Sequence, residues 1–234
     1  MKKQKVFLVC IMFILSLLVL KPLEAVSQSV GETSGHIELT ENNTPTPPVN
    51  PEDPSQKLQP VDPYNPGTNN PGPLSIDVAP INFEFGVQKM YVSEHIYEGI
   101  SQGRDHVRQY IQITDARNAG INGWKVTVKQ DRYLSSDSYT LMGATLILPA
   151  GDARNSLNIP PTAIDSNLKT ESVEVNMSEA TLFKTLTDDR TTGKGQSVTV
   201  WEPNQVRLKV PENTAKAGNY SNTLTWTLTA VANP

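Results

Sequence analysis

Apolar and polar residues alternate along most of the chain from about Leu74 to its end. The stretch "GWKVTVKQD" shows the pattern clearly, because it sets Trp124, Val126 and Val128 on one face and two lysines and a threonine on the other. Similar short runs, such as "SIDVAPINFEFG", "RQYIQITDA", "QSVTVWEP" and "QVRLKVP", are bounded by Pro, Gly, Asn or Asp. A period of two residues predicts half-buried β-strands.

The final stretch, "YSNTLTWTLTAVANP", shows the same alternation in its strictest form. Every odd position from Thr223 to Thr229 is a threonine, and the even positions between them and just beyond are Leu224, Trp226, Leu228 and Ala230. We predict a strand whose even-numbered face is buried or covered by a partner. Its threonine face is expected to meet either solvent or a sugar-rich surface.

No helical period lasts more than two or three turns, and the best helical candidates are short pieces near residues 177–186 and 211–216. About 160 residues with roughly eight to ten short strands predict one antiparallel all-β domain. We assign this domain to residues 74–234. Length and periodicity leave two architectures open, a β-sandwich and a closed barrel.

Residues 1–25 have the form of a secretory signal peptide. "MKKQK" supplies a basic start, the apolar run from Val6 to Leu20 follows, and Ala25 offers a small residue for cleavage. The run is shorter than the roughly 18 to 20 residues that a spanning helix needs, so we expect a secreted mature chain without a transmembrane segment. Cleavage also removes Cys10, the one cysteine, and the mature protein must then be stabilised by a hydrophobic core instead of disulfides.

Residues 26–73 differ in composition from the rest of the chain. Ten prolines lie between Thr40 and Pro73, with Asn, Asp, Thr and Gly among them. Proline fixes φ and cannot donate to a strand ladder, so this segment is predicted to be a disordered, extended leader.

Charge and motifs exclude several classes of function. The mature chain has 16 basic and 23 acidic residues, a net charge of −7, which does not suit nucleic-acid binding. His36, His95 and His106 lack metal-ligand spacing, and no cofactor motif or G-x-S-x-G sequence is present. Asp188 and Asp189 have the setting of a solvated loop more than that of a glycosidase pair. We therefore expect no enzymatic activity, no metal and no cofactor.

Two tryptophan motifs stand out, since Trp-x-aliphatic occurs at Trp124-Lys125-Val126 and again, near the C-terminus, at Trp226-Thr227-Leu228. On these residues the chain resembles the WxL-domain surface proteins of Gram-positive bacteria, although valine replaces leucine in the first motif. Supporting features are Phe85-Gly86, Asp115-x-Arg117, Gly143-Ala144-x-Leu146, Tyr220 and the closing Pro234.

The resemblance implies a domain that attaches non-covalently to peptidoglycan at the cell surface, within a complex that includes other WxL proteins and a membrane-anchored WxL-interacting protein. The absence of an LPxTG-like motif agrees with non-covalent attachment. Candidate contact residues for the wall or a partner are Trp124, Val126, Tyr220, Trp226, Leu228, Asp115 and Arg117. The rival interpretation is that both tryptophans are buried and hold strands together. The competing functions are an adhesin for host glycan or extracellular matrix and a wall hydrolase.

Overall fold

The computed structural model describes residues 30–101, 108–121, 123–186 and 192–231. The predicted signal peptide lies outside these ranges. Residues 30–39 belong to a unit separate from the rest and have no regular secondary structure. Within the described residues, no helix has the length and apolar character to cross a membrane.

Nearly all the regular secondary structure in the described part of the chain is β-strand. A short 3₁₀ turn, Pro203–Gln205, interrupts the strands. The strands are β1 (Val49–Asn50), β2 (Asp53–Lys57), β3 (Leu74–Val78), β4 (His95–Glu98), β5 (Gln109–Asp115), β6 (Trp124–Gln130), β7 (Thr145–Leu148), β8 (Asp152–Asn155), β9 (Leu168–Thr170), β10 (Val173–Val175), β11 (Ala180–Thr185), β12 (Gly195–Trp201), β13 (Arg207–Val210) and β14 (Leu224–Ala230).

Antiparallel pairing joins these strands into four sheets. Three of them have four strands each, in the orders β3-β5-β12-β8, β10-β7-β13-β4 and β14-β6-β11-β9, and β1 pairs with β2 in a fourth. The large sheets bury a shared core, and each keeps edge strands of its own. The all-β prediction is therefore confirmed, and of the two open architectures the structure adopts the sandwich.

Strand β5 shows why the segment ahead of Leu74 matters. All seven of its residues are buried, because one face meets the main core through Ile111 and Ile113 while the other meets a smaller cluster. That cluster contains Tyr110 and also Val49, which comes from the proline-rich segment.

The prediction of a disordered leader is wrong for this part of residues 26–73. Val49 donates its backbone N–H to the Gln112 side chain at 2.8 Å, and the Gln112 amide donates to the Pro47 carbonyl at 3.1 Å. Proline lacks a donor but keeps its acceptor, so a proline-rich segment can still satisfy a buried amide from the edge of a fold.

The short piece near residues 177–186, suggested as a helical candidate, contains strand β11. Pairing with β6 on one side and β9 on the other fixes its backbone in the extended form. Local propensity is a weak prior, and this tertiary pairing overrides it.

Candidate functional site

The two tryptophan motifs lie side by side on neighbouring strands. β14 pairs antiparallel with β6, so Leu228 lies opposite Val126, while Trp226 lies opposite Val128 and Ala230 opposite Trp124. On both strands the even-numbered residues face the core, as alternation predicts, except that Ala230 at the end of β14 is exposed.

Trp124 is completely buried. Its ring meets Phe183 edge-on at a centroid distance of 4.8 Å, and its indole N–H donates to the Gly193 carbonyl at 3.2 Å. Gly193 has φ +79°, and a Cβ there would come within 2.7 Å of the indole nitrogen. Val126 is also fully buried. The structure therefore favours the packing interpretation for these two residues, since neither side chain reaches the surface.

Trp226 occupies a different environment, although it sits in the same kind of motif. It is half-buried and packs on the edge of the core together with Tyr220 and Leu228. Trp124 and Trp201 each donate the indole N–H to a protein oxygen, the acceptor for Trp201 being the Gln109 side chain at 3.2 Å. Within the described residues, the indole N–H of Trp226 has no such acceptor.

Trp226 and Tyr220 line a cavity of about 960 Å³, which we call the Trp226 groove. One wall is the segment 80–90 and the other is the segment 215–224. Its remaining lining comes from Tyr97, Leu134, Leu141, Leu146, Leu208 and Val210. The groove therefore combines aromatic rings and an aliphatic floor with polar groups at its walls.

Two tyrosines of the groove are held in place by backbone acceptors. Tyr97 donates its hydroxyl to the Lys89 carbonyl at 2.8 Å, and Tyr220 donates to the Lys216 carbonyl at 3.0 Å. Desolvation raises the pKa of both phenols above the ordinary value, with a further contribution from Tyr91 for Tyr97 and from Tyr139 for Tyr220. Both hydroxyls are therefore neutral at physiological pH.

Asp115 and Arg117 are engaged with each other inside the chain. The carboxylate is buried and accepts two guanidinium bonds at 2.9 and 2.8 Å, while Lys194 donates to it at 3.2 Å. Arg117 also donates to the Gly123 carbonyl at 3.0 Å, and Lys194 donates to the Arg117 carbonyl at 3.0 Å. This cluster braces the turn that leads into β6, and it sets two cations, Arg117 and Lys194, against the single Asp115 carboxylate.

Of the histidines and paired aspartates considered from the sequence, two lie in the described part of the chain. His95 stacks on Tyr91 with ring centroids 3.8 Å apart, and His36 lies in the irregular segment 30–39. His106, Asp188 and Asp189 lie outside the described residues. Among the residues that are described, no three His, Cys, Asp or Glu side chains form a group that could hold a metal ion.

Reasoning from the sequence missed two features of this region. The alternation of Ile81, Phe83 and Phe85 predicted a strand, but segment 80–90 has no regular secondary structure and instead forms a wall of the groove. The second missed feature is a row of lysines on the outer face of the β14-β6-β11-β9 sheet, which depends on strand register. Alternation placed Lys125 and Lys129 on the polar face of one strand. It could not show which residues of the neighbouring strands lie beside them, because that depends on register.

Comparison with known proteins gives one match. Residues 26–231 match a family model described as a WxL domain, surface cell wall-binding. The matched range includes the proline-rich segment as well as the strands. No curated protein and no solved structure shows significant similarity to the chain.

Proposed function

Because this chain belongs to the WxL family of surface cell wall-binding domains, we propose that it attaches to the wall by binding peptidoglycan non-covalently. The family is one of wall-binding domains and not of enzymes, and it associates the chain with the cell-wall surface. Secretion through the N-terminal signal and assembly with other WxL proteins and a membrane-anchored WxL-interacting protein are part of the same proposal. These two points rest on the sequence.

We propose the Trp226 groove as the peptidoglycan site. The observation that best supports this choice is the half-buried indole of Trp226, whose N–H has no acceptor in the described chain although it borders a cavity of about 960 Å³. An unpaired donor beside an apolar ring is the usual combination in ligand pockets, where a few polar groups orient a ligand among apolar contacts.

The lining of the groove suits the mixed chemistry of peptidoglycan. The C–H faces of sugar rings can stack on Trp226 and Tyr220, and the aliphatic floor suits the small apolar side chains of stem peptides. Lys89 and Lys216 at the walls can meet stem-peptide carboxylates, while Glu84 is the acidic residue of the lining. A ligand of this kind would use both the apolar and the polar parts of the groove.

Sedimentation of the mature chain, residues 26–234, with purified peptidoglycan sacculi tests the proposal. Trp226→Ala should weaken binding by about ten-fold or more, because the stacking surface and the free donor are both lost. Trp226→Phe should weaken it less, since it keeps a ring and removes the N–H. Ile159→Ala, which alters an exposed apolar residue outside the groove, is the control.

Each outcome of this assay is informative. Wild-type protein that stays in the supernatant would contradict peptidoglycan binding itself. Normal sedimentation of Trp226→Ala would contradict the groove as its site. A chain that does not bind sacculi but binds host glycan or matrix would instead be an adhesin.

A further inference from the structure

The outer face of the β14-β6-β11-β9 sheet is unusually rich in lysine for an acidic protein. Strand register places Thr229 opposite Lys125, Lys125 opposite Lys184, and Lys184 opposite Lys169, so one row crosses all four strands. Lys129 lies on the same face, opposite Thr225. We call the lysine face the set Lys125, Lys129, Lys169, Lys184, Thr225, Thr227 and Thr229.

The row brings like charges close together. Neighbouring strands lie about 4.8 Å apart, so the backbone positions of the three row lysines fall within roughly 10 Å. Like charges directly opposite each other in a sheet are destabilising. Only part of this repulsion is relieved in the described residues, where Lys184 pairs with Glu171 at 2.6 Å and Lys169 donates to the Ser166 carbonyl at 2.7 Å.

Lys125 and Lys129 have no ion-pair partner among the described residues. Lys125 is exposed and Lys129 half-buried. Two glutamates are tied to this face: Glu171 pairs with Lys184, and Glu179 accepts a hydrogen bond from the Thr127 hydroxyl at 3.1 Å. The face thus has four lysines against two glutamates. It is locally positive although the mature chain has a net charge of −7.

The residues of the lysine face do not suit two common kinds of partner, a protein surface and a single-stranded nucleic acid. A protein–protein interface has an apolar centre, and a single-stranded nucleic-acid site has aromatic rings for base stacking. The residues of the lysine face provide neither. Ammonium groups on flexible stems act as point charges and impose little geometry on an anion, which suits a flexible polyanion with repeated charges.

We propose that the lysine face binds a linear wall polymer whose negative charges are phosphodiester groups. Phosphate oxygens would accept from the lysine ammonium groups, and the threonine hydroxyls of β14 would donate to the same chain. This contact goes beyond the proposed function, because it involves another wall component and the opposite face of β14 from the Trp226 groove. Over distances of about 8 Å at physiological salt, the local positive field outweighs the distant negative charge.

The test uses the mature chain and three probes: a synthetic glycerol-phosphate polymer, sacculi that retain their phosphodiester polymers, and sacculi stripped of them by hydrofluoric acid. The triple variant Lys125→Gln, Lys129→Gln, Lys169→Gln leaves the Lys184–Glu171 pair intact. A control variant with the same change in charge carries Lys57→Gln, Arg132→Gln and Arg207→Gln.

The triple variant should bind the synthetic polymer about ten-fold more weakly than wild type at about 50 mM salt, and its affinity should depend less steeply on salt. It should bind stripped sacculi as wild type does, whereas Trp226→Ala should lose that binding and keep the polymer. Unchanged polymer binding by the triple variant, or an equal loss in the control, would overturn the proposal. Failure of wild type on stripped sacculi alone would instead overturn peptidoglycan binding.

Discussion

Val126 and Leu228, the third residues of the two tryptophan motifs, lie directly opposite each other on β6 and β14. Hydrogen-bonded and non-hydrogen-bonded pairs alternate along an antiparallel ladder. The backbones of the opposite pairs Asp131–Thr223 and Gly123–Val231 are hydrogen bonded. Val126 and Leu228, an odd number of positions from both, therefore form a non-hydrogen-bonded pair. Side chains at such positions are closer than at hydrogen-bonded ones. The two motifs therefore form a single packed unit although about a hundred residues separate them.

This pairing predicts energetic coupling between the two motifs. Val126→Ala and Leu228→Ala should each destabilise the domain, and a double-mutant cycle measured by urea denaturation should give a coupling of about 0.5 to 1 kcal/mol. Leu228→Ala should cost less than Val126→Ala, because Leu228 is only half-buried. Additive effects of the two changes would contradict a direct contact.

Gly193 should tolerate no side chain, because it lies against the Trp124 indole. A Cβ at residue 193 would stand 2.5 Å from the Thr185 methyl group and 2.7 Å from the indole nitrogen, and the backbone there has φ +79°. Gly193→Ala is expected to lower the unfolding free energy by about 2 kcal/mol through overpacking and strain. Gly120→Ala, which also has positive φ but open space around it, is the matched control for the strain alone. Equal effects of the two substitutions would remove the argument for overpacking.

Arg117 should matter for stability more than an ordinary surface arginine does. Arg117→Met leaves the buried Asp115 carboxylate with Lys194 as its remaining cation, and we expect a loss of about 2 kcal/mol in thermal or urea unfolding. Arg132→Met, which breaks an exposed pair with Asp131, should cost less than about 1 kcal/mol.

A similar loss for both arginine variants would show that burial does not distinguish the two pairs. A wall-binding defect in Arg117→Met without any loss of stability would instead indicate that this side chain contacts the wall.

Deleting residues 225–234 should prevent folding. The deletion removes nearly all of β14 and exposes the side of β6 that carries Trp124 and Val128, which are both fully buried in the intact chain. Circular dichroism and urea denaturation of the purified variant would detect the loss of cooperative unfolding. A truncation of residues 232–234 alone leaves every described contact of β14 in place, and serves as the control. A variant that lacks residues 225–234 but still unfolds cooperatively and binds the wall would show that β14 is dispensable.

Asp77 should make the domain less stable as pH rises from its unfolded-state pKa through its raised folded-state pKa. Its buried carboxylate accepts hydrogen bonds from Ser75, Gln112 and Thr114, but desolvation is the largest effect and raises its pKa above the ordinary value of an aspartate. The folded state then binds the Asp77 proton more tightly than the unfolded state does. This contribution to stability is full below the unfolded pKa and is lost as pH passes the folded one.

Comparing wild type with Asp77→Asn isolates this effect from those of other carboxylates. The difference in unfolding free energy, wild type minus variant, should fall with rising pH between the unfolded pKa and the raised folded pKa, and should be constant at higher pH. Urea titrations at a series of pH values measure it. A difference that rises with pH over that window would mean that hydrogen bonding outweighs desolvation.

Part of the fold and of the site was accessible from the sequence. The alternation over residues 124–128 and 224–230 correctly predicted two strands and, except at the exposed Ala230, the face of each that packs inward. It could not distinguish Trp124 from Trp226, since both occupy inward-facing positions of similar motifs. The difference arises because β6 has a strand on each side, while β14 is at the edge of its sheet, beside the groove.

The proline-rich segment shows what composition alone could not predict. Its composition correctly excludes donation from proline to a ladder, but says nothing of an acceptor role, and the partner of Pro47 is Gln112, 65 residues away along the chain. The Asp115–Arg117 pair was visible in the sequence as a motif. Lys194, the second cation beside Asp115, directly precedes β12, and it reaches Asp115 because β12 pairs with β5. Sequence spacing could not predict this contact.

The sequence by itself determined the all-β class, the inward and outward faces of the principal strands and the membership of the chain in its family, because these depend on local periodicity and on motifs. The tertiary structure decided which strands are neighbours and in which register. Register joins residues distant in sequence, and it alone aligned Val126 with Leu228 and set Lys125, Lys184 and Lys169 in one row. A shift of one residue would have turned every side chain to the other face.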